Sequence, residues 1–376
     1  MFGVAARFLH IVFRMDGGDW VVEILEDVAM TLKNSFPALA AAMCLALLTV
    51  KAVSAEPPAG KFEVVDHWKI GGDGGWDYLL ADPSAHVVYV THGPRVEIID
   101  TGTGKSVGAL TGFKSTHGVA LDQAGKYGYV SDGAGNAVWV FDRHTYQMGA
   151  SIPSGTNPDG ITFEPVTRTV WAFNGRSNDA TVIDADSQKA VATIKLSGRP
   201  EFPTVDGKGN LYVNIENKNS IVKLDAKTKS VVAEWPLAGC ESPSGMAIDT
   251  AGHRLFSVCD GKKMAVTDYL SGKVLANPAI GDSPDAAGFD SKNGLAFSSN
   301  GDGTLTVIDT KDANYKVVQT VATQKGARTM TFDSSSGRVY LVTADMGPRP
   351  AATGANPRPR PPVLPGSFQI LVVERK

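Results

Sequence analysis

Residues 76–100 read WDYLLADPSAHVVYVTHGPRVEIID, and this stretch decides the fold because the rest of the chain repeats it. Short apolar runs alternate with turn sequences within it and directly after it, at 79–82, 87–92, 96–100 and 106–110. Four short strands separated by glycine-rich turns predict one small antiparallel sheet. A sheet of this size does not bury both of its faces alone, so it needs neighbouring sheets of the same kind.

An acidic residue at the end of the first apolar run marks each copy of the repeat. These marker acids recur every 40 to 43 residues, at Asp82, Asp122, Glu164, Asp206, Asp249, Asp290 and Asp333. A period of this length with four strands per copy is typical of a β-propeller blade, and seven copies predict seven blades. Solenoid repeats are shorter, and the absence of long helical periodicity argues against an α/β fold.

The seventh copy predicts three strands of its own, the last of them at 368–373. Residues 62–70, FEVVDHWKI, form a further apolar run that precedes the first blade. We expect this N-terminal strand to complete the last blade, which would close the ring and leave no open edge between blades. The predicted fold class is therefore all-β, a closed seven-bladed propeller of four-stranded antiparallel blades.

The second run of the first copy, Tyr89-Val90-Thr91-His92, resembles the YVTN signature of the YVTN-repeat β-propellers, a family of exported, YncE-like bacterial proteins. Residues 129–132 (YVSD), 181–184 (TVID) and 306–309 (TVID) fit the same pattern. The resemblance covers residues 61–376. It implies the propeller fold and export, and it implies little about activity because the family is a scaffold with diverse or unknown roles.

The segment before the repeats predicts export. Residues 30–55 are typical of a signal peptide, with Lys33 as the positive region, 36–50 as the apolar region and Val53-Ser54-Ala55 as the cleavage site. The mature protein would begin at Glu56, lie in the periplasm or be secreted, and keep no membrane anchor. Residues 1–29 fit nothing downstream, and we expect Met30 to be the true start. The alternative is a real N-terminal extension.

We expect the mature chain to be a single propeller over 56–376. Its composition limits the classes of partner that it could bind. The chain has a formal net charge of −3 and no run of Lys or Arg on the repeats, so a nucleic-acid partner is disfavoured. We expect a monomer.

Two cysteines remain after cleavage, Cys240 and Cys259. Antiparallel pairing of the first two strands of blade five brings both to one end of that blade, and an oxidising compartment then favours a disulfide. The alternative is a pair of buried free thiols.

The register predicts which residues line the central channel. The position five before each marker acid, where the chain enters the innermost strand, holds Asp77, His117, Asp159, Glu201, Ser244, Asp285 and Arg328. We expect these side chains and Tyr78 to ring one mouth of the channel. The ends of the second strands would form a second ring farther out at the same mouth, made of His92, Asp132, Asn174, Glu216, Cys259 with Asp260, Asn300 and Asp345. Such a mixture is typical of a ligand site. The alternative is that polar residues merely form the turns there.

Two further features are expected at the same mouth. His92, His117, Asp77 and Asp132 are candidate ligands for a divalent metal such as Ca²⁺, although no HxH or HExxH spacing supports them. The proline-rich segment 346–366, with Arg349, Arg358 and Arg360, interrupts the last blade and would lie over this face.

The leading functional hypothesis is a non-catalytic propeller that binds a small ligand or a protein partner at the channel mouth. The sequence has no GxSxG motif, no phosphate-binding loop and no CxxCH haem motif. An alternative is a metal-assisted lyase or lactone hydrolase, with His117 as general acid or base and Arg328 holding an anionic substrate. A further alternative is an interaction scaffold that uses the rims of its blades.

Overall fold

The computed structural model describes residues 10–16, 19–25, 60–351, 353, 354, 359 and 361–376. The chain divides into two compact units, Met1–Val53 and Ser54–Lys376. In the first unit, β1 (His10–Asp16) and β2 (Asp19–Leu25) pair antiparallel. The predicted signal segment and the predicted mature start lie outside the described residues.

The second unit consists of seven four-stranded antiparallel sheets, the blades. Blade 1 has β4 (Trp76–Asp82), β5 (Val87–His92), β6 (Arg95–Asp100) and β7 (Ser106–Thr111), and the strand β3 (Phe62–Lys69) precedes it. Blade 2 has β8 (Thr116–Leu121), β9 (Tyr127–Asp132), β10 (Ala137–Asp142) and β11 (Met148–Pro153). Blade 3 has β12 (Pro158–Glu164), β13 (Thr169–Asn174), β14 (Asp179–Asp184) and β15 (Lys189–Lys195).

The remaining blades follow the same plan. Blade 4 has β16 (Pro200–Val205), β17 (Asn210–Ile215), a 3₁₀ turn (Glu216–Lys218), β18 (Ser220–Asp225) and β19 (Ser230–Pro236). Blade 5 has β20 (Glu241–Asp249), β21 (Arg254–Asp260), β22 (Lys263–Asp268) and β23 (Lys273–Ala276). Blade 6 has β24 (Pro284–Asp290), β25 (Leu295–Asn300), β26 (Thr304–Asp309) and β27 (Val317–Ala322). Blade 7 has β28 (Thr329–Asp333), β29 (Arg338–Thr343), β30 (Gln369–Arg375) and β3.

The predicted closure of the ring is confirmed. Strand β3 pairs antiparallel with β30, from Phe62 opposite Arg375 to Lys69 opposite Gln369. The innermost strands of successive blades contact one another around the axis, and β28 of blade 7 contacts β4 of blade 1. In the part of the chain that the structure describes, no helix is long and apolar enough to cross a membrane.

The core lies between the blades, because each flat sheet buries its faces against its neighbours. An aromatic residue in the middle of every second strand is fully buried, at Tyr89, Tyr129, Trp171, Tyr212, Phe256, Phe297 and Tyr340. Several of these rings contact the next blade: Tyr89 lies 5.5 Å from Phe141, and Phe297 lies 5.5 Å from Phe332. These contacts repeat with the period of the sequence, so they set the spacing between blades.

Six of the seven marker acids accept hydrogen bonds from the turn that follows the innermost strand of their blade, and the seventh, Asp122, pairs instead with Arg168. Asp82 accepts a hydrogen bond from the Ala85 N–H, and Glu164 accepts one from the Val166 N–H at 3.0 Å. Asp82 also forms an ion pair with Arg143 of blade 2, in which both side chains are buried. Marker acids therefore stabilise turns, and the ion pair between Asp82 and Arg143 also joins blades 1 and 2.

Blade 5 carries the disulfide. Cys240 lies directly before β20 and Cys259 lies near the end of β21, and a disulfide joins them with their Cα atoms 5.4 Å apart. The register places Cys259 opposite Pro243, which explains the approach of Cys240. Both cysteines are buried.

Candidate functional site

The innermost strands bring the sequence-predicted ring together at one end of the channel. Most of the ring lines a cavity of about 440 Å³, which we call the mouth cavity. It is lined by Asp77, Tyr78, Asp159, Arg199, Glu201, Glu216, Ser242, Ser244, Asp260, Ser283, Pro284, Asp285 and Arg328. The ring residue His117 lies directly beside it, bonded to Asp77.

His117 is held between two carboxylates from adjacent blades. Its Nδ1 lies 2.6 Å from Oδ2 of Asp77 and 3.6 Å from Oδ1 of Asp159. Burial by itself would lower the pKa of His117, but the hydrogen bond with Asp77 and the charge of Asp159 outweigh it and raise that pKa to about 9. His117 is therefore a cation at neutral pH.

The carboxyl groups of the mouth cavity crowd one another. Burial, followed by the charge of Asp77, raises the pKa of Asp159 to about 7, against the opposing effect of His117. Burial and a hydrogen bond with Glu216 raise the pKa of Glu201 to about 10. Glu201 thus keeps its proton at neutral pH because a second negative charge beside Glu216 is too costly.

Two arginines offset part of this negative charge. Arg199 pairs with Glu216 through Nη2, and its Nε lies 3.7 Å from Glu201. The Nη1 of Arg328 lies 3.3 Å from Oδ2 of Asp285, whose Oδ1 accepts a hydrogen bond of 3.0 Å from Ser244.

The ring of Tyr78 forms part of the wall of the mouth cavity. Tyr78 is buried and packs edge-to-face on Phe202, with ring centroids 4.8 Å apart. Beyond this pair lies a second, more apolar cavity of about 300 Å³, to which Tyr78, Leu79 and Ile161 contribute. Burial, together with the charges of Asp285 and Glu201, raises the pKa of Tyr78 well above its usual value, so the phenol stays neutral.

The predicted metal set is assembled only in part. Asp77 and His117 do lie together, and Asp159 joins them: one ligand atom of each lies within 4.8 Å of the others. His92 lies elsewhere, buried and stacked on Phe368 with ring centroids 3.9 Å apart. The carboxylate of Asp132 accepts hydrogen bonds from the backbone N–H groups of residues 114 and 115, in the turn before blade 2. These bonds engage it away from the cluster of Asp77, His117 and Asp159.

Sequence reasoning missed three residues of the mouth cavity, Arg199, Ser242 and Ser283. Each stands directly before a proline that itself precedes a ring residue. The proline was the sequence feature that could have identified these three residues. The proline fixes its own φ, and two of the residues before it, Ser242 and Ser283, adopt positive φ values of 45° and 54°.

The two ends of the proline-rich segment lie beside the mouth cavity. Met346 pairs with Val363, and together with Arg349 and Pro361 they line a neighbouring cavity that shares Arg328. Arg358 and Arg360 lie outside the described residues.

Comparison with known proteins gives relatives of the predicted kind. No known family profile matches the chain. The uncharacterized protein YncE of Escherichia coli O157:H7 is 22% identical over 198 residues, which cover 48% of this chain and 56% of YncE. YncE of Escherichia coli strain K12 is 21% identical over 201 residues, with the same shares covered. The alignments span little more than half of these relatives. With the seven blades, they confirm the predicted resemblance to YncE-like propellers.

Solved structures share the fold at low sequence identity. Kuenenia stuttgartiensis hydrazine synthase has a TM-score of 0.64 and 17% identity, covering 72% of this chain and 92% of that chain. The WD40 repeats of RRP9 have a TM-score of 0.67 and 11% identity, covering 83% and 97%. U3-55K has a TM-score of 0.66 and 11% identity, covering 84% and 99%. At such identities the likeness concerns the fold alone.

Proposed function

We propose that this chain, a YncE-like propeller by fold and sequence similarity, binds a small positively charged ligand at its channel mouth without covalent chemistry. The observation that carries the proposal is the charge of the mouth cavity. Six carboxyl groups meet there, from Asp77, Asp159, Glu201, Glu216, Asp260 and Asp285. Glu201 is neutral, so the other five face two arginines and the imidazolium of His117, and the cavity retains a small surplus of negative charge that a cation would neutralise.

The matching ligands are a protonated amine or a divalent metal ion, which share positive charge and differ in coordination. Carboxylate oxygens suit hard cations such as Ca²⁺. An ammonium group would instead donate hydrogen bonds to several carboxylates, and the ring of Tyr78 would contact the apolar part of its carrier.

The runner-up is a metal-assisted lyase or lactone hydrolase, favoured by the proximity of Asp77, His117 and Asp159. Since the pKa of His117 is about 9, this residue would act at neutral pH as an acid rather than a base. A metal there would also have to displace the proton of the imidazolium. Elemental analysis combined with a lactone hydrolysis assay separates the two proposals: one divalent ion per chain together with turnover favours the enzyme, and ion binding without turnover favours the non-catalytic site.

The proposal is tested by calorimetric titration with 1,4-diaminobutane alone and with Ca²⁺ alone. We expect Asp159→Asn to weaken binding of the cation that the wild type prefers by roughly tenfold, because one carboxylate charge is lost. Arg328→Ala should strengthen the same binding severalfold, because it removes an opposing charge. The matched control is Asp290→Asn, which alters a turn and not the mouth cavity. If Asp159→Asn and Asp290→Asn change binding alike, or neither cation binds, the proposal is wrong.

Cation binding at the mouth should depend on pH. Because the pKa of Asp159 is raised to about 7, protons compete with the ligand at this carboxyl below neutral pH. Affinity is therefore expected to rise between pH 6 and 8. The same titrations repeated across this range measure it. The Asp159→Asn variant should show a flatter profile, and an equally steep profile in that variant would contradict the assignment.

We also propose that the protein is exported. The pattern of residues 30–55 and the disulfide between Cys240 and Cys259 support this, since disulfides persist in oxidising compartments. N-terminal sequencing of the protein isolated from its native host should begin at Glu56. A mature protein that retains residues 30–55 would contradict the proposal.

A further inference from the structure

The neighbouring cavity at the base of the proline-rich segment shares Arg328 with the mouth cavity but is lined by cationic side chains. It measures about 540 Å³ and lies among blades 1, 6 and 7. Three cationic side chains line it, Lys325, Arg328 and Arg349. Its remaining side-chain walls are Trp76, Met346, Pro361 and Val363. We call this cavity the basic pocket.

The walls of the basic pocket are fixed by hydrogen bonds at the base of the proline-rich segment. Gly347 donates to the carbonyl of Pro362 at 2.8 Å, and Leu364 donates to the carbonyl of Asp345 at 2.8 Å. The amide of Gln324 donates to Asp345 at 3.0 Å. These bonds clamp both ends of the segment together and tie them to the strand connection that carries Lys325.

The apolar wall is equally well defined. Trp76 packs on Phe368, with ring centroids 5.6 Å apart. Gly326 adopts a φ of +85°, and a Cβ atom there would lie 3.4 Å from Cε of Met346 and 4.0 Å from Trp76. Glycine thus suits both the backbone and the close approach, and it leaves the indole and the thioether facing one space.

The positive charge of Lys325 and Arg349 is poorly compensated, whereas that of Arg328 is partly neutralised by carboxylates of the mouth cavity. The Nη1 of Arg328 lies 3.3 Å from Oδ2 of Asp285, and the side chain of Arg328 is 39% exposed. Within the described ranges, neither Lys325 nor Arg349 lies within 4.0 Å of a carboxylate, and no carboxylate lines the pocket. The mouth cavity next to it is lined by carboxyl groups, so the two cavities differ in the sign of the charge that lines them.

We propose that the basic pocket binds an organic oxyanion, a phosphate or carboxylate group carried on an apolar body. Guanidinium groups bind oxyanions through paired hydrogen bonds, and the ammonium of Lys325 adds a point charge. The indole of Trp76 and the side chains of Met346 and Val363 offer the apolar body a surface that inorganic anions do not use. The basic pocket shares Arg328 with the mouth cavity, but anion binding there rests on Lys325, Arg349 and the apolar wall and does not require the cation site.

The test compares phenyl phosphate, benzoate and inorganic phosphate by calorimetry on the full chain at low ionic strength. We expect phenyl phosphate to bind roughly tenfold more tightly than inorganic phosphate, since the ring buries apolar surface. Comparing the affinities of phenyl phosphate and benzoate shows whether the basic pocket prefers a phosphate or a carboxylate group. Absence of phenyl phosphate binding at millimolar concentration, or equal binding of both phosphates, would overturn the proposal.

Variants assign the binding to this pocket. Arg349→Gln and Lys325→Gln should each weaken phenyl phosphate binding roughly tenfold. Arg328 is left unchanged because it lines both cavities. Lys105→Gln, on an exposed turn of blade 1, is the matched control and should bind like the wild type. Both pocket positions are exposed, so the variants should unfold at the wild-type temperature. If they bind phenyl phosphate as tightly as Lys105→Gln does, the pocket is not the site.

Discussion

Replacing Arg143 by alanine is expected to lower the free energy of unfolding by roughly 3 to 5 kcal/mol. The guanidinium of Arg143 lies 2.5 Å from Oδ2 of Asp82, and the two side chains are 7% and 0% exposed. The Nη1 of Arg143 donates a hydrogen bond of 2.6 Å to the backbone carbonyl of Asp122. Alanine would leave the carboxylate of Asp82 buried without its partner and would remove a contact between blades 1 and 2. Urea unfolding measures the loss.

The structure provides a matched control one blade further on. Arg168 makes the same kind of contact with Asp122, at 2.9 Å, but its side chain is 42% exposed. Because water reaches the guanidinium of Arg168 and partly screens the pair, Arg168→Ala is expected to cost clearly less than Arg143→Ala, even though the carboxylate of Asp122 is only 3% exposed. Combining Arg143→Met with Asp82→Asn removes both charges and should recover part of the stability lost in Arg143→Ala. Equal losses in Arg143→Ala and Arg168→Ala would contradict the account.

The Arg143 contact also predicts how the protein responds to acid. Burial would raise the pKa of Asp82, but hydrogen bonds from Ser84 and Arg143 outweigh burial and lower it. A carboxyl whose pKa is lower in the folded state stabilises the fold above its unfolded pKa, and that stabilisation is lost as the pH falls through its folded pKa. The stability difference between wild type and Arg143→Ala should therefore shrink in strong acid.

Removing the disulfide is expected to have the next largest effect. Cys240 and Cys259 are 19 residues apart in sequence, and closing a loop of this length stabilises a fold by roughly 3 kcal/mol in the chain-entropy model. The double variant Cys240→Ala/Cys259→Ala should lose about that amount in urea unfolding. The single variant Cys240→Ala should lose nearly as much, since either change breaks the bond.

Reduction offers an independent control for the disulfide. Wild-type protein unfolded in the presence of dithiothreitol should match the double variant, and dithiothreitol should not change the double variant. Retention of wild-type stability in the double variant would show that the cross-link contributes nothing to the folded state.

The sequence predicted the fold well because the repeat carries its own geometry. The marker acids recur at turns, where a carboxylate accepts backbone N–H groups within three residues, as Glu164 does from Val166 and Thr167. Such local contacts need no knowledge of distant parts of the chain. The aromatic residue of each second strand recurs with the same period and packs on the next blade, as Tyr89 does on Phe141. Local turns and a regular period together determine the ring.

The candidate site was predictable in position but not in its contacts. Counting five residues back from each marker acid finds the strand ends that meet at the axis. It does not give the rotation between blades, and that rotation decides that His117 reaches Asp77 and Asp159. His92 shows the same limit. Its ring stacks on Phe368, a residue far away in sequence, so no pattern near His92 could place it outside the metal cluster.

The basic pocket lay beyond sequence reasoning for a related reason. The composition of residues 346–366 drew attention to their arginines, but the pocket also needs Trp76 from blade 1 and Lys325 from the connection after blade 6. These meet only because the ring brings the first and last blades side by side.

The joining of β3 to β30 also imposes an order on biosynthesis. In a growing chain, β3 emerges about 300 residues before its partner, a wait of roughly 15 to 60 s at translation speeds of about 5 to 20 residues per second. During that time β3 is a strand without a sheet, open to pairing with other molecules. Glu63, Asp66 and Lys69 all stay exposed in the finished blade. Charges at such positions discourage wrong pairing while the strand waits.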